Sequence, residues 1–204
     1  MPTAFVLPGW GTSSERVRPL CEALRELGVD ARPWAYEPVG SIQRVAGVLA
    51  EAVALAAAHD GAGEAAGEVA LIGHSLGGLI AASAVLEHQA PATTVTTINS
   101  PWRGTWAAWT AHPDDLLGRE LRWGSDSLRS LRDGLATHLA LPAGPRWSIM
   151  SAALDLAAPP SSALRTPDGD RLHKTLLGVS GHSVSLLHPK MIDAVSRHVV
   201  GSHR

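Results

Sequence analysis

The stretch VALIGHSLGG (69–78) constrains this chain more than any other. An apolar run of strand length passes, without a spacer, into small and apolar residues of helical length. Only a sharp turn joins two such elements, and this one carries a serine with Gly73 two residues before it and Gly77 two after. A serine at the apex of such an elbow takes a strained backbone conformation. Its neighbours at those two positions crowd each other, so both must be small. The elbow presents the Ser75 hydroxyl at the edge of a sheet. It also places the Leu76 N–H at a helix N-terminus, where unpaired donors and the helix dipole favour a negatively charged oxygen. The plainer alternative is a glycine-rich turn with a solvent-facing serine. His74 is expected to point away from the Ser75 hydroxyl and to play a structural part.

The rest of the chain alternates in the same way. Strands are expected at 4–7, 30–36, 69–73, 93–99, 146–152 and 174–181. Helices are expected at 17–28, 41–61, 76–88 and 189–200, with Ser41 as an N-cap and Gly28 as a stop. Pro33 assigns its strand to an edge, because it lacks an N–H. GAGEAAG (61–67) reads as a loop, and 100–144 as an irregular or helical insertion after the fourth strand. Six strands alternating with helices predict one α/β domain over 1–204: a three-layer α/β/α arrangement with a mostly parallel six-stranded sheet. In such sheets ligands bind beyond the carboxyl ends of the strands. That points to the loops 8–14, 36–40, 74–76, 99–110, 153–165 and 180–188.

Those loops hold reactive residues in an informative order. LPGWGTS (7–13) follows the first strand, and its glycines let the backbone approach a ligand, so the Trp10 N–H is a candidate oxyanion donor beside that of Leu76. A plain strand-to-helix turn is the alternative there. Asp155 lies just past the fifth strand, in a loop stiffened by Pro159 and Pro160, and His182 follows the sixth in a glycine-flanked loop. Ser75, Asp155 and His182 therefore occur in the order serine, acid, histidine, the order of a triad on a doubly wound sheet. The acid would orient the imidazole, the imidazole would take the serine proton, and two backbone N–H groups would hold the oxyanion. Asp126, Asp168, Asp170 and His188 are rivals that sit in turns or at helix starts. The remaining histidines lack ligand spacing, so neither a metal nor another cofactor is expected.

These motifs resemble the α/β-hydrolase superfamily, and more narrowly the small bacterial triacylglycerol lipases and esterases with a minimal six-stranded core. Beyond the elbow the resemblance rests on FVLPGWGTS, INSPWRGTWAAW, LRWGSDSLRSL, SIMSAALDLAAPPSSALR and GVSGHSVSLL, and it covers nearly the whole chain. It implies Ser75 as nucleophile, Asp155 as acid, His182 as base, and the Trp10 and Leu76 N–H groups as the oxyanion hole. The chain departs from the family where Pro8 stands in place of a common histidine in the oxyanion loop, and where Trp102 stands in place of another.

Composition bounds the function. A formal net charge of −2 without a basic block gives no reason to expect nucleic acid as a partner. The single Cys21 excludes an internal disulfide. The N-terminal segment lacks the charged and apolar regions of a secretory leader, and no uninterrupted apolar run spans a bilayer, so a cytoplasmic protein without stable membrane insertion is expected. Trp102, Trp106 and Trp109 fall in the insertion and are candidates to line a pocket for the apolar part of a small-molecule substrate, with simple packing on the core as the alternative. The expected function is an esterase- or lipase-like serine hydrolase acting on carboxylic esters or thioesters through an acyl-serine. A biosynthetic thioesterase or acyltransferase, and a non-catalytic binding protein on the same fold, are the alternatives.

Overall fold

Six strands, all parallel, form one sheet in the order β2-β1-β3-β4-β5-β6. They are β1 (Thr3–Leu7), β2 (Asp30–Pro33), β3 (Val69–His74), β4 (Thr94–Ile98), β5 (Arg146–Leu154) and β6 (Leu172–Ser180). The computed structural model describes residues 2–60 and 67–201. All but Gly67 of the loop read from the sequence at 61–67 lies outside the described residues. Every residue of β1, β3 and β4 is buried, as expected of central parallel strands covered on both faces. Pro33 sits at the end of the edge strand β2, where its missing N–H breaks no ladder. β6 is the opposite edge and is largely open along its length.

Alternation along the strands divides the core in two. Phe5, Leu7, Leu71, Val95, Trp147 and Ile149 face α2 (Ile42–Asp60), α3 (Leu76–Leu86) and α5 (Asp126–Ala140). Ala4, Val6, Ile72, Ile98 and Met150 face α1 (Arg18–Glu26) and α7 (Pro189–Val200). α1 buries Leu20, Cys21 and Leu24, takes Pro19 in its first turn, and is followed by Gly28 at φ +81°. Ser41 caps α2 through the Arg44 N–H, and a Glu120 carboxylate oxygen accepts from the Ile42 N–H at 2.6 Å. By length and composition α2 is apolar enough to cross a membrane, although Arg44 and Glu51 interrupt it. Here it lays Ile42, Val45, Leu49 and Val53 into the core.

The 100–144 segment divides into two parts. Its second half is α5, capped by Ser125, which buries Leu128, Leu131 and Leu135 beside α3. That helix is the crossover between β4 and β5, because parallel neighbours need one to cover the sheet. The part free to lie near strand ends is shorter: a 3-10 turn at Trp106–Thr110 and the short α4 (Leu116–Glu120).

The strand order also locates a switch point. The chain winds from β1 outward to β2, then returns to place β3 on the other side of β1 and proceeds to β6. The winding reverses between β1 and β3, the kind of switch point at whose carboxyl end open α/β sheets bind ligands. Register brings Leu7 beside Gly73 and His74 beside Ile98.

Candidate active site

Ser75 stands at that switch point, between β3 and α3, with φ +54° and ψ −121°. A non-glycine residue held there costs about 1–3 kcal/mol, which the surrounding fold must overcome. Its surroundings show why. A Cβ on Gly73 would lie 2.3 Å from backbone atoms of Gly77 and Gly78, and a Cβ on Gly77 would lie 2.4 Å from the Pro8 carbonyl oxygen. The turn is thus closed by backbone packed on backbone, with the Ser75 N–H donating to Ile98 O at 2.8 Å. Leu76 opens α3, so its N–H has no acceptor within that helix.

The loop after β1 lies against the same serine. A Cβ on Gly9 would be 3.0 Å from Ser75 Cβ and 3.1 Å from His74 Nδ1. The loop is tied by Thr12, whose hydroxyl and N–H both donate to Gly9 O. From outside, the Tyr36 hydroxyl donates to Pro8 O at 3.0 Å. Burial pushes the Tyr36 phenol up, so it stays a neutral donor. Among the described residues the Trp10 N–H makes no backbone hydrogen bond, which leaves it available to a ligand.

Beyond the ends of β5 and β6, Asp155 and His182 meet. His182 Nδ1 lies 2.7 Å from Asp155 Oδ2. The other carboxylate oxygen accepts the N–H groups of Ala157 and Ala158, each at 2.9 Å. The Asp155 side chain is fully enclosed, whereas 24% of the His182 side chain remains open to solvent. The carboxylate is therefore enclosed and hydrogen-bonded, whereas part of the imidazole faces solvent. The His182 ring packs at 4.7 Å from that of His74, which brings it alongside the elbow. Among the described residues the Ser75 hydroxyl makes no hydrogen bond.

His74 does more than fill space. It is buried, and its Nε2 contacts the His182 carbonyl oxygen at 3.0 Å. Burial first, and the neighbouring His182 second, hold its pKa down to about 3, so the ring is neutral. Asn99, at the end of β4, reaches the same carbonyl at 2.8 Å. The sequence singled out neither Asn99 nor Tyr36.

Three of the rivals are engaged elsewhere. Asp126 pairs with Arg129 in the first turn of α5, Asp168 pairs with Lys174, and His188 caps α7 by accepting from the Lys190 N–H. The tryptophans divide. Trp102 is fully buried and donates to Thr97 Oγ1, so it packs the core and offers no surface to a ligand, contrary to its assignment as a pocket residue. Trp106 and Trp109 are 68% and 57% exposed. Trp106 stacks on Trp123, and the Arg122 guanidinium lies 4.8 Å over the Trp109 ring. The segment carrying them is fastened to the acid loop: Thr105 donates to Ala157 O, and Ser162 donates to Gly104 O at 2.7 Å.

No protein-family model and no curated protein matches this chain. Solved structures do. The mature form of the Bacillus licheniformis lipase BlEst2 superposes with a TM-score of 0.73 at 17% identity, over 95% of this chain and 89% of that one. The Paleococcus ferrophilus monoacylglycerol lipase gives 0.71 at 13% identity, over 98% and 93%. A hydrolase of the α/β superfamily from Xanthomonas campestris, described as putative, gives 0.58 at 18% identity, over 99% and 98%. The chain has the α/β-hydrolase fold.

Proposed function

We propose that this protein is a serine hydrolase that cleaves carboxylic esters or thioesters through an acyl-serine. The observation that carries the reading is the hydrogen bond between the buried Asp155 and the partly exposed His182, set at the ends of β5 and β6 beside a serine in a strained elbow. Ser75 Oγ would attack the acyl carbonyl carbon while His182 Nε2 takes its proton. Asp155 holds Nδ1–H, fixing the tautomer that leaves Nε2 basic. The oxyanion would lie against the N–H groups of Trp10 and Leu76. Collapse of the tetrahedral intermediate expels the alkoxide or thiolate, which takes from Nε2 the proton that Ser75 gave up. Water then repeats the sequence on the acyl-serine. The hydrogen bond between Ser75 and His182 would close on substrate binding, a common behaviour of such pairs.

The BlEst2 and P. ferrophilus proteins that share the fold are described as lipases, which favours a small-molecule ester with an apolar acyl part. The exposed Trp106 and Trp109 are candidates to meet that part. A fluorophosphonate probe tests the reading. Labelling of the wild type and none of Ser75→Ala supports it. A folded wild type that takes no label would favour a binding protein instead. Turnover of p-nitrophenyl esters against acyl thioesters then assigns the leaving group.

A further inference from the structure

The His182 main-chain carbonyl accepts from three side chains. Asn99 Nδ2 lies 2.8 Å from it, His74 Nε2 3.0 Å and Ser185 Oγ 3.0 Å. All three residues are buried. A carbonyl has two lone pairs, and one on a surface loop usually turns to water. This one is turned inward and saturated.

The donors lead back to the acid. Asn99 Nδ2 also donates to Ser185 Oγ at 2.7 Å, while its Oδ1 accepts the Ala152 N–H at 2.8 Å. The Asn99 N–H donates to Met150 O. Ala152 and Met150 belong to β5, the strand that ends immediately before Asp155. One carboxamide therefore spans the acid-bearing strand and the histidine loop. Its orientation is dictated by its partners, since the reverse would set an NH2 against the Ala152 N–H. Asn99 has φ +50°, a left-handed conformation that asparagine adopts more readily than most residues. His74 supplies the second fixed donor. A carbonyl only accepts, so Nε2 carries the proton, and depressed basicity keeps the ring neutral beside an imidazolium.

We propose that Asn99 and His74 are positioning residues that set the His182 imidazole against Asp155 by clamping the His182 carbonyl. The inference rests on the reading of His182 as the base. With the carbonyl held, the peptide plane and the Cα–Cβ direction of His182 are fixed, and Asp155 fixes what rotation remains. Loss of a clamp leaves substrate binding intact and misplaces the proton acceptor, so it acts on kcat rather than KM.

The test is steady-state hydrolysis of p-nitrophenyl butyrate by Asn99→Gly, His74→Leu, His74→Gln and His182→Ala, alongside the downfield Nδ1–H proton resonance of His182. Glycine keeps the backbone conformation at 99 and removes the carboxamide. Asn99→Gly and His74→Leu should lower kcat by about 10- to 100-fold with KM within about twofold, and should shift or broaden the resonance. His74→Gln retains a donor and should recover most of the loss. Wild-type kcat and an unmoved resonance in folded Asn99→Gly and His74→Leu, with His182→Ala inactive, would overturn the clamp and leave the base in place. An active His182→Ala would overturn both. Should Asn99→Gly fail to fold, the His74→Leu and His74→Gln pair decides alone.

Discussion

Around Ser75 the chain is shaped by side chains it lacks, whereas around His182 it is shaped by side chains that reach across the fold. Gly9, Gly73 and Gly77 let three stretches of backbone meet where any Cβ would be 3.1 Å or less from a neighbour. Under the proposed mechanism, the donors offered to an oxyanion there would be main-chain N–H groups. On the other side, Asp155, Asn99, His74 and Ser185 all converge on one residue, using carboxylate, amide, imidazole and hydroxyl. Backbone geometry is set by local sterics, severe at Gly73 and Gly77 and milder at Gly9. Side-chain geometry is a network, each of whose members can be altered one at a time, with graded effects.

The comparison can be broken at its strongest point first. Ser75→Ala should lower kcat by roughly 10³–10⁶ while circular dichroism stays native, and His182→Ala should do nearly the same, because the members of a triad act as a unit. Asp155→Asn should lower kcat by about 10⁴, since the amide would favour the wrong imidazole tautomer. On the backbone side, Gly9→Ala inserts a methyl at 3.0 Å from Ser75 Cβ. It should reduce kcat by about 10²-fold through displaced oxyanion donors, with a far smaller change in melting temperature. If Gly9→Ala is silent, the close approach of this loop to Ser75 does not limit catalysis.

Smaller effects sharpen the contrast. Tyr36→Phe removes a hydroxyl that holds Pro8 O from outside the loop, and should cost about 1 kcal/mol in denaturant unfolding with only a few-fold loss of kcat. Acid should reveal His74. Its folded pKa, about 3, lies below its unfolded value, so below neutrality the unfolded chain binds a proton that the folded chain refuses. The contribution is fully present above pH about 6.5 and is lost as pH falls toward about 3. His74→Gln should flatten the acid limb of a stability-against-pH curve, leaving the part due to His198, whose pKa burial likewise lowers, to about 4.

The two halves also differed in what the sequence disclosed. The elbow was legible because its constraint is local: G-x-S-x-G between an apolar run and a helix leaves little else for the backbone to do. The α/β alternation was legible for the same reason, down to Pro33 at an edge and the final helix at Pro189–Val200. Asp155 and His182 were reached only through topology, as residues at strand ends in the right order. Asn99 and Tyr36 were missed because their partners lie 83 and 28 residues away, and no spacing marks an amide or a phenol that answers a distant carbonyl. Trp102 was misassigned because its proximity to Trp106 said nothing about depth: it points into the core, while Trp106 lies at the surface. The 100–144 stretch looked like one insertion, since the crossover helix α5 carries no mark distinguishing it from a cap.

The sheet order carries a consequence for time as well as for space. β1 and β3 are neighbours at its interior and come early in the chain, whereas β6 is laid down last, at the rim. A polypeptide emerging from a ribosome therefore exposes the segments carrying Gly9 and Ser75 well before the segment carrying His182. Under the proposed chemistry, the nascent protein stays inert until that last strand and the loop carrying His182 have docked.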